Sequence, residues 1–323
     1  MPRTRLPSKD RIGIIFNPLG GRNKREGPEE IWGLLSKVGE LKSVSTPKEI
    51  RDALICFEKA KKSWILISGG DGTVQMVLTA LFHKRPFFFL PRLSVLPGGT
   101  TNLIAGDLGL VGSQKKAIKR LSYMLEDKDE TWIFATHRDV LRLSREDGLV
   151  RYGMFLGGGL VSEGVALYEK DFRKRTKGAS LGIVLTVIKC LFGLFRQKRS
   201  CSYMEINVNN QSSIKGRVCV LLCTTLERLF LGTHPFWARA RRGIRMSLLL
   251  SGARGLLRFM PYILSGRPHP ALTPENGYFS CRFFRAEVRT NSPLALDGEL
   301  ITPYGESPRV LLEYGGKVVF LQW

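Results

Sequence analysis

Short apolar runs that end in glycine-rich turns dominate the first part of this chain. Residues 11–16 and 64–68 are such runs, and a third strand-like run ends at Leu96. An apolar stretch of this length followed by glycines is typical of a buried strand that leads into a tight turn. The segments between and after these runs show helical periodicity, at 29–38, 48–62 and 74–82. Strands that alternate with helices predict a parallel sheet with helices on both faces.

The pattern changes after about residue 135. Strand-like segments separated by turns follow, at 139–143, 203–208, 217–223, 244–250 and 279–285. A helical, basic insertion interrupts them at about 168–199. We therefore predict an α/β fold in which a Rossmann-like nucleotide-binding domain, residues 1–135, precedes a β-rich, antiparallel, sandwich-like domain, residues 136–311. The C-terminal strand, 312–323, is expected to return to the first domain.

Three glycine turns follow the strands of the predicted parallel sheet. Ligands of such sheets bind outside the carboxyl ends of the strands, where these turns lie. A glycine turn that leads into a helix aims backbone N–H groups and the helix dipole at one point, which suits a phosphate group. Asp71 stands inside the second turn, where a carboxylate can hold Mg²⁺ and where the helix dipole is expected to favour its ionised form. No Walker sequence occurs in the chain, so a P-loop enzyme is excluded.

Four motifs resemble the diacylglycerol kinase catalytic-domain family, whose fold is shared with NAD kinases. In chain order they are Asn17-Pro18-x-x-Gly21, Gly69-Gly70-Asp71-Gly72-Thr73, Pro97-Gly98-Gly99-Thr100-Thr101-Asn102 and Asp297-Gly298-Glu299. The resemblance implies a nucleotide site lined by Asn17, Thr46, Gly69, Gly70, Asp71, Gly72, Thr73, Gly99, Thr100 and Asn102. It also implies catalytic roles for Asp71, Asp297 and Glu299, with Mg²⁺ held by Asp71 and Glu299 and ATP as phosphoryl donor.

The two aspartates are assigned different tasks. Asp297 is expected to act as the general base for the acceptor hydroxyl, while Asp71 holds the metal and its phosphate. The competing assignment makes Asp71 the base and Asp297 a structural residue. The sequence leaves both assignments open.

The charge balance points to a polyanionic partner. The chain has 323 residues, with Lys+Arg 50 against Asp+Glu 28 and a formal net charge of +22. Such an excess suits nucleic acid, an anionic membrane or a phosphorylated substrate. No nucleic-acid-binding motif supports the first, so we expect no nucleic-acid partner. The basic residues Lys170, Arg173, Lys174, Arg175 and Lys177, beside the apolar run 181–195, predict peripheral docking on an anionic leaflet.

The cysteines and the N-terminus predict a reducing compartment. Six cysteines are scattered without the spacing of metal ligands, and no disulfide or zinc role is expected of them. Cys219 and Cys223 lie in the apolar run 218–223, where buried thiols are expected. The N-terminal residues are charged and lead directly into a strand, so no secretory signal is expected. We predict a cytoplasmic protein that associates with the inner face of the membrane.

Together these features predict a lipid kinase. The expected reaction transfers the γ-phosphoryl group of ATP to a hydroxyl of a membrane lipid, with diacylglycerol as the leading acceptor and phosphatidic acid as its product. Two alternatives stay open: a soluble nucleotide kinase similar to NAD kinase, and a non-catalytic protein that binds anionic lipids on the same fold.

Overall fold

The computed structural model describes residues 2–108, 112–126, 132–167, 201–209, 211–239 and 242–323. The chain divides into two compact units. Unit 1 consists of Met1–Asp139 with Gly316–Trp323, and unit 2 consists of Val140–Gly315. The helical insertion predicted at about 168–199, with its basic cluster, lies outside the described residues.

Unit 1 is built on a parallel sheet. Its strands are β1 (Arg3–Arg5), β2 (Ile12–Phe16), β3 (Glu40–Ser43), β4 (Trp64–Gly69), β5 (Arg92–Pro97) and the start of β6 (Trp132–Arg145). Of these, β1 and β6 pair antiparallel. The parallel order runs from β3 through β2 and β4 to β5, and Phe320 of the last strand of the chain pairs in parallel with Leu93 of β5. The C-terminal strand thus completes the sheet of unit 1.

Helices of unit 1 connect these strands. They are α1 (Gly21–Glu26), α2 (Pro28–Leu35), α3 (Pro47–Lys59), α4 (Asp71–Thr79), α5 (Leu103–Asp107) and α6 (Gln114–Glu126). Every residue of β2 and β4 is buried, as the continuous apolar runs predict for strands covered on both faces. Ile31 and Leu35 of α2 and Ile118 and Leu121 of α6 pack into the core that these strands form. The α/β prediction for this part of the chain is confirmed.

Unit 2 is mainly antiparallel. Its strands are the end of β6, β7 (Val150–Gly153), β8 (Phe155–Gly159), β9 (Ser202–Val208), β10 (Ser212–Thr224), β11 (Ile244–Leu250), β12 (Tyr278–Phe283), β13 (Arg285–Thr290), β14 (Leu294–Leu296), β15 (Glu299–Ile301) and the start of β16 (Arg309–Gln322). The sheet order is β15-β14-β8-β10-β9-β13-β16, and β11 joins β10 to β12. Two further helices are α7 (Leu160–Leu167) and α8 (Leu256–Ser265). The β-rich prediction is confirmed.

One expectation about the cysteines was wrong. Cys201 and Cys219 form a disulfide, with 4.0 Å between their Cα atoms. The two residues lie on neighbouring strands, because Ser202 of β9 pairs with Val218 of β10. Antiparallel pairing brings together residues that are distant in the sequence, and no spacing rule for adjacent cysteines applies to them. Cys223, in the same apolar run, is buried and free, as expected.

Candidate nucleotide-binding site

The three glycine turns meet at the carboxyl edge of the parallel sheet of unit 1. They follow β2, β4 and β5, which are neighbours in the sheet. Asn17, at the end of β2, donates its side-chain amide to the hydroxyl of Thr73 over 3.0 Å. Its carboxamide oxygen accepts from the backbone N–H of Leu19 over 2.9 Å. Asn17 therefore closes its own turn and ties it to the second one.

Glycine is required where the second and third turns touch. A Cβ placed on Gly99 would lie 2.3 Å from the Cα of Gly70, and one on Gly98 would lie 2.8 Å from the backbone nitrogen of Gly69. Non-bonded carbons prefer separations of about 3.5–4.0 Å, so any side chain here would force the turns apart. The backbones can approach this closely only because both turns carry glycines.

Asp71 is the first residue of α4, and its carboxylate caps the next helix. Oδ2 accepts from the backbone N–H of Leu103 and Oδ1 from that of Ile104, each over 3.0 Å. Burial raises the pKa of this carboxyl above its ordinary value, and the hydrogen bonds from Ile104 and Leu103 oppose that shift. The expectation that its helix position favours the ionised form is therefore wrong in direction, because loss of hydration outweighs the favourable dipoles.

Asn102 shapes the third turn. It has a left-handed backbone, with φ of 52°. Its side-chain oxygen accepts from the backbone N–H of Gly99 over 2.8 Å, and its amide donates to the carbonyl of Gly99 over 2.9 Å. This two-way bond fixes the loop that holds Thr100, which is half-buried. A Cβ on Gly21 would lie 2.2 Å from the Thr100 hydroxyl, so the first turn also reaches the third.

A buried network of polar side chains connects the turns to one another, and the sequence pattern did not predict it. Asn23, Ser68 and Gln114 are each 0% exposed. Asn23 donates to the carbonyls of Asn17 and Ser68 over 2.8 and 3.1 Å, and it accepts from Gln114 over 2.7 Å. The backbone N–H of Asn23 also donates to Gly98. Polar residues at the start of helices α1 and α6 carry no periodic signal, so only their burial shows this role.

Thr46 has a structural function that accounts for its position. It is the N-cap of α3, and its hydroxyl accepts from the backbone N–H of Glu49 over 3.3 Å. The Glu49 carboxylate accepts in return from the backbone N–H groups of Thr46 and Ser45. This is a capping box, which stabilises a helix start. Contact between Thr46 and a nucleotide stays a prediction.

Asp297 and Glu299 belong to unit 2. Asp297 is 5% exposed and has φ of 47°. Its carboxylate oxygens accept from the backbone N–H groups of Met154 and Phe155 over 2.9 and 2.8 Å, and its own N–H donates to the Phe155 carbonyl. These bonds hold the Asp297 carboxylate in one orientation. Glu299 is exposed at the start of β15.

The acidic residues do not build a metal cage by themselves. Within the described residues, no group of three His, Cys, Asp or Glu side chains could hold a metal ion. Mg²⁺ is commonly bound through one or two carboxylates, substrate phosphates and water rather than by an all-protein cage. A single carboxylate such as that of Asp71 is compatible with that mode of binding.

Comparison with protein families agrees with the first three of the four motifs. Residues 11–130 match the family described as the diacylglycerol kinase catalytic domain. A curated protein of Streptococcus pneumoniae serotype 4 named "Putative lipid kinase" is 28% identical over 119 residues. That match covers 36% of this chain and 40% of the relative, so less than half of either protein is aligned.

Solved structures extend the likeness to the whole fold. A crystal structure of a protein from Bacillus anthracis str. Sterne, described as a putative diacylglycerol kinase, has a TM-score of 0.64 and 19% identity, covering 98% of this chain and 96% of the other. A second one from the same organism, described as a diacylglycerol kinase, has a TM-score of 0.58 and 15% identity, and 96% of each chain is covered. At these identities the likeness concerns the fold. The family match confirms the resemblance to the diacylglycerol kinase catalytic domain over residues 11–130.

Proposed function

We propose that this protein is an ATP-dependent lipid kinase that phosphorylates a hydroxyl of a membrane lipid, with diacylglycerol as acceptor and phosphatidic acid as product. The observation that carries the proposal is the contact of three glycine turns at the carboxyl edge of the parallel sheet, inside the segment that matches the kinase family. Phosphoryl transfer depends mainly on positioning and on neutralising charge, which such an arrangement supplies.

The glycine turns are the proposed seat of the ATP phosphates. Helix α4 begins directly after Gly70, which makes no side-chain cap, and the first amides of a helix have no partner within the helix. The N–H groups of Asp71 and Gly72 are therefore the donors we assign to a phosphate. Gly99 keeps the facing surface free of side chains.

Asp71 fits a magnesium role. Its two oxygens are fixed by α5 and each retains an acceptor position. Mg²⁺, when bound there with ATP, would offset the negative charge of the phosphates. A nearby cation favours the ionised form of a carboxyl, which would counter the raised pKa of Asp71.

Asp297 is the proposed general base, and Glu299 is proposed to assist the metal. The backbone bonds from Met154 and Phe155 hold the Asp297 carboxylate in one orientation, as a proton acceptor requires. The acceptor hydroxyl would give its proton to this carboxylate while its oxygen attacks the γ-phosphorus, and the bond from that phosphorus to the bridging oxygen would break and release ADP.

The charge of the chain supports a membrane-bound acceptor. A net charge of +22 favours an anionic leaflet, and we propose a cytoplasmic protein that docks peripherally on it. Among the described residues, no helix is long and apolar enough to cross a bilayer.

A product assay tests the proposal. Pure protein is incubated with labelled ATP, Mg²⁺ and either diacylglycerol in mixed micelles, other hydroxylated lipids or NAD, and the products are separated. We expect labelled phosphatidic acid and no labelled NADP. Labelled NADP without any lipid product would replace this function by the soluble-kinase alternative, and no product in any arm would favour the non-catalytic one.

Two substitutions separate the roles of the aspartates. Asp297→Asn should keep the affinity for Mg-ATP and lower turnover by roughly 10²–10⁴-fold, the usual cost of removing a general base. Asp71→Asn should weaken Mg-dependent ATP binding as well. Glu306→Gln, which removes an exposed carboxylate from the same unit as Asp297, serves as the control and should leave turnover unchanged. Normal turnover of Asp297→Asn would make the competing assignment correct.

A further inference from the structure

Helix α8 of unit 2 is apolar without being buried. Except for Arg258 and Ser265, every residue of α8 is apolar. Among its ten residues, all of them described, none is buried. Leu257 is 70% exposed, and Tyr262 and Leu264 are each 39% exposed. A helix of ordinary composition would turn such residues toward the protein core.

Only one face of α8 packs against the rest of unit 2. Phe259 lies against His269 and Tyr278, with ring centroids 4.9 and 6.3 Å apart. The exposed positions Leu257, Pro261 and Leu264 recur at the spacing of one helix face, which is a different face from that of Phe259. The helix is therefore fixed to unit 2 through one side and presents its other apolar side outward.

A neighbouring turn adds to this outward face. The segment Phe230–Gly232 forms a short 3₁₀ turn in which Leu231 is 91% exposed. The turn is joined to the end of α8, because the backbone N–H of His234 donates to the carbonyl of Leu264 over 2.8 Å. Leu231 also has a left-handed backbone, with φ of 54°, which is unfavourable for a residue with a side chain. Leucine here brings no packing that would compensate for that conformation.

The sequence that forms this surface is basic. From Arg228 to Thr273 the sequence contains no Asp or Glu. Arg254, Arg258 and Arg267 flank or lie on α8 and are exposed. Exposed leucines beside arginines are the composition of a helix that lies in the interface of an anionic bilayer. A water-soluble acidic partner would match the arginines, but it would leave the leucines in water.

We propose that Leu231, Leu257 and Leu264, here called the α8 surface, are the contact of this protein with an anionic phospholipid bilayer. The leucines enter the boundary between headgroups and acyl chains, and the three arginines bind lipid phosphates. The inference rests on the proposed function, since a membrane-embedded acceptor gives the surface its use, and it places docking on unit 2, the unit that contains Asp297.

Co-sedimentation with vesicles tests the proposal in the full chain. Vesicles of phosphatidylcholine mixed with phosphatidylglycerol are compared with vesicles of phosphatidylcholine alone. Arg254→Gln, Arg258→Gln and Arg267→Gln together should weaken binding to the anionic vesicles on the order of a hundredfold at low salt. Leu231→Ser, Leu257→Ser and Leu264→Ser together should weaken it tenfold or more, on the order expected for lost apolar insertion.

Matched controls lie in unit 1. Phe88→Ser with Phe89→Ser removes two side chains that are 86% and 80% exposed. Replacing the exposed Lys37, Lys48 and Lys59 by Gln removes the same charge as the arginine variant. Both controls should bind anionic vesicles as the unchanged protein does.

Three results would overturn the proposal. They are an equal loss of binding in a control variant, no loss of binding in the leucine variant, and no preference of the unchanged protein for anionic vesicles. A leucine variant that changes only the oligomeric state would assign the surface to a second copy of the chain.

A single substitution guards against misfolding. Leu231→Gly removes the most exposed leucine and relieves its left-handed backbone, so thermal stability should hold or rise while vesicle binding falls. A parallel loss of stability and binding would instead indicate a structural residue and overturn its assignment to the α8 surface.

Activity is measured on a short-chain, water-soluble diacylglycerol and on diacylglycerol in vesicles. The α8 variants should lose only the vesicle activity. If no lipid is phosphorylated at all, the proposed function fails while the binding comparison still decides the docking surface.

Discussion

Replacing Gly99 by alanine is the most direct test of how the glycine turns are built. The added Cβ would lie 2.3 Å from the Cα of Gly70, which is backbone and cannot rotate away. A carbon–carbon contact is comfortable at about 3.5 Å or more, so the two turns must separate by about 1.2 Å. Overpacking of this kind typically costs roughly 1–3 kcal/mol of folding free energy.

The chain provides a matched control in Gly106. It lies in α5, shortly after Gly99, is exposed, and a Cβ there would have no atom within 4 Å. Gly106→Ala should therefore hold or raise stability, because alanine is favoured over glycine in a helix by roughly 1 kcal/mol. The two variants therefore add the same methyl group, once where the backbone of Gly70 blocks it and once where no atom lies within 4 Å.

Thermal unfolding by circular dichroism and titration calorimetry with Mg-ATP measure the two consequences. A loss of 1–3 kcal/mol should lower the Tm of Gly99→Ala by roughly 2–12 °C, given about 2–4 °C per kcal/mol for domains of 150–250 residues. A shift of about 1 Å in a positioning loop can also cost on the order of 10²-fold in function, so Mg-ATP affinity should fall. If Gly99→Ala matched Gly106→Ala in both Tm and affinity, the argument that the Gly70–Gly99 contact shapes the site would be refuted.

Two further predictions concern the groups around these turns. Asn23→Ala should destabilise the protein by about 1–3 kcal/mol in urea unfolding, because it removes the acceptor of the Gln114 amide and one of two donors to each of the carbonyls of Asn17 and Ser68. Lys24→Ala on the exposed side of α1 should change stability by less than about 0.5 kcal/mol, and equal effects would contradict the network. Since burial raises the pKa of Asp71, its contribution to stability is greatest below the unfolded pKa and is lost as pH rises through the folded value. The unfolding free energy of the unchanged protein should therefore decline relative to Asp71→Asn as the pH rises from about 4 toward neutral. Parallel stability curves across that range would show that Asp71 does not titrate with the fold.

Local pattern was sufficient for the elements that carry the site. The apolar run before Asn17 and the one before Gly69 predict buried strands, and the structure has β2 and β4 there with every residue buried. The glycine motifs follow these strands, and the rule that parallel strands end at one edge brings the motifs together without knowledge of the tertiary structure. The first-domain fold and the family resemblance were therefore available from the sequence.

The supporting contacts depend on long-range geometry instead. Asp71 caps α5 because the second and third turns approach so closely that only glycine fits between them. The sequence around Asp71 does not indicate that Leu103 will be its partner. Asn23 and Gln114 meet because α1 and α6 start at the same edge of the sheet. The burial that raises the pKa of Asp71 arises from the same packing, which is why its helix position alone predicted the wrong direction.

What the sequence by itself determined was the order of strands and helices, the glycine turns and the excess of basic charge, since each of these is written in local spacing or composition. What only the tertiary structure decided was which side chains face each other and which face outward. Cys201 contacts Cys219 because two antiparallel strands pair in one register. The leucines of α8 stay exposed because only the Phe259 side of that helix packs against the rest of unit 2. Burial is a property of the packed chain, and for a residue such as Leu257 the sequence pattern is the same whether the helix lies inside a protein or on a membrane.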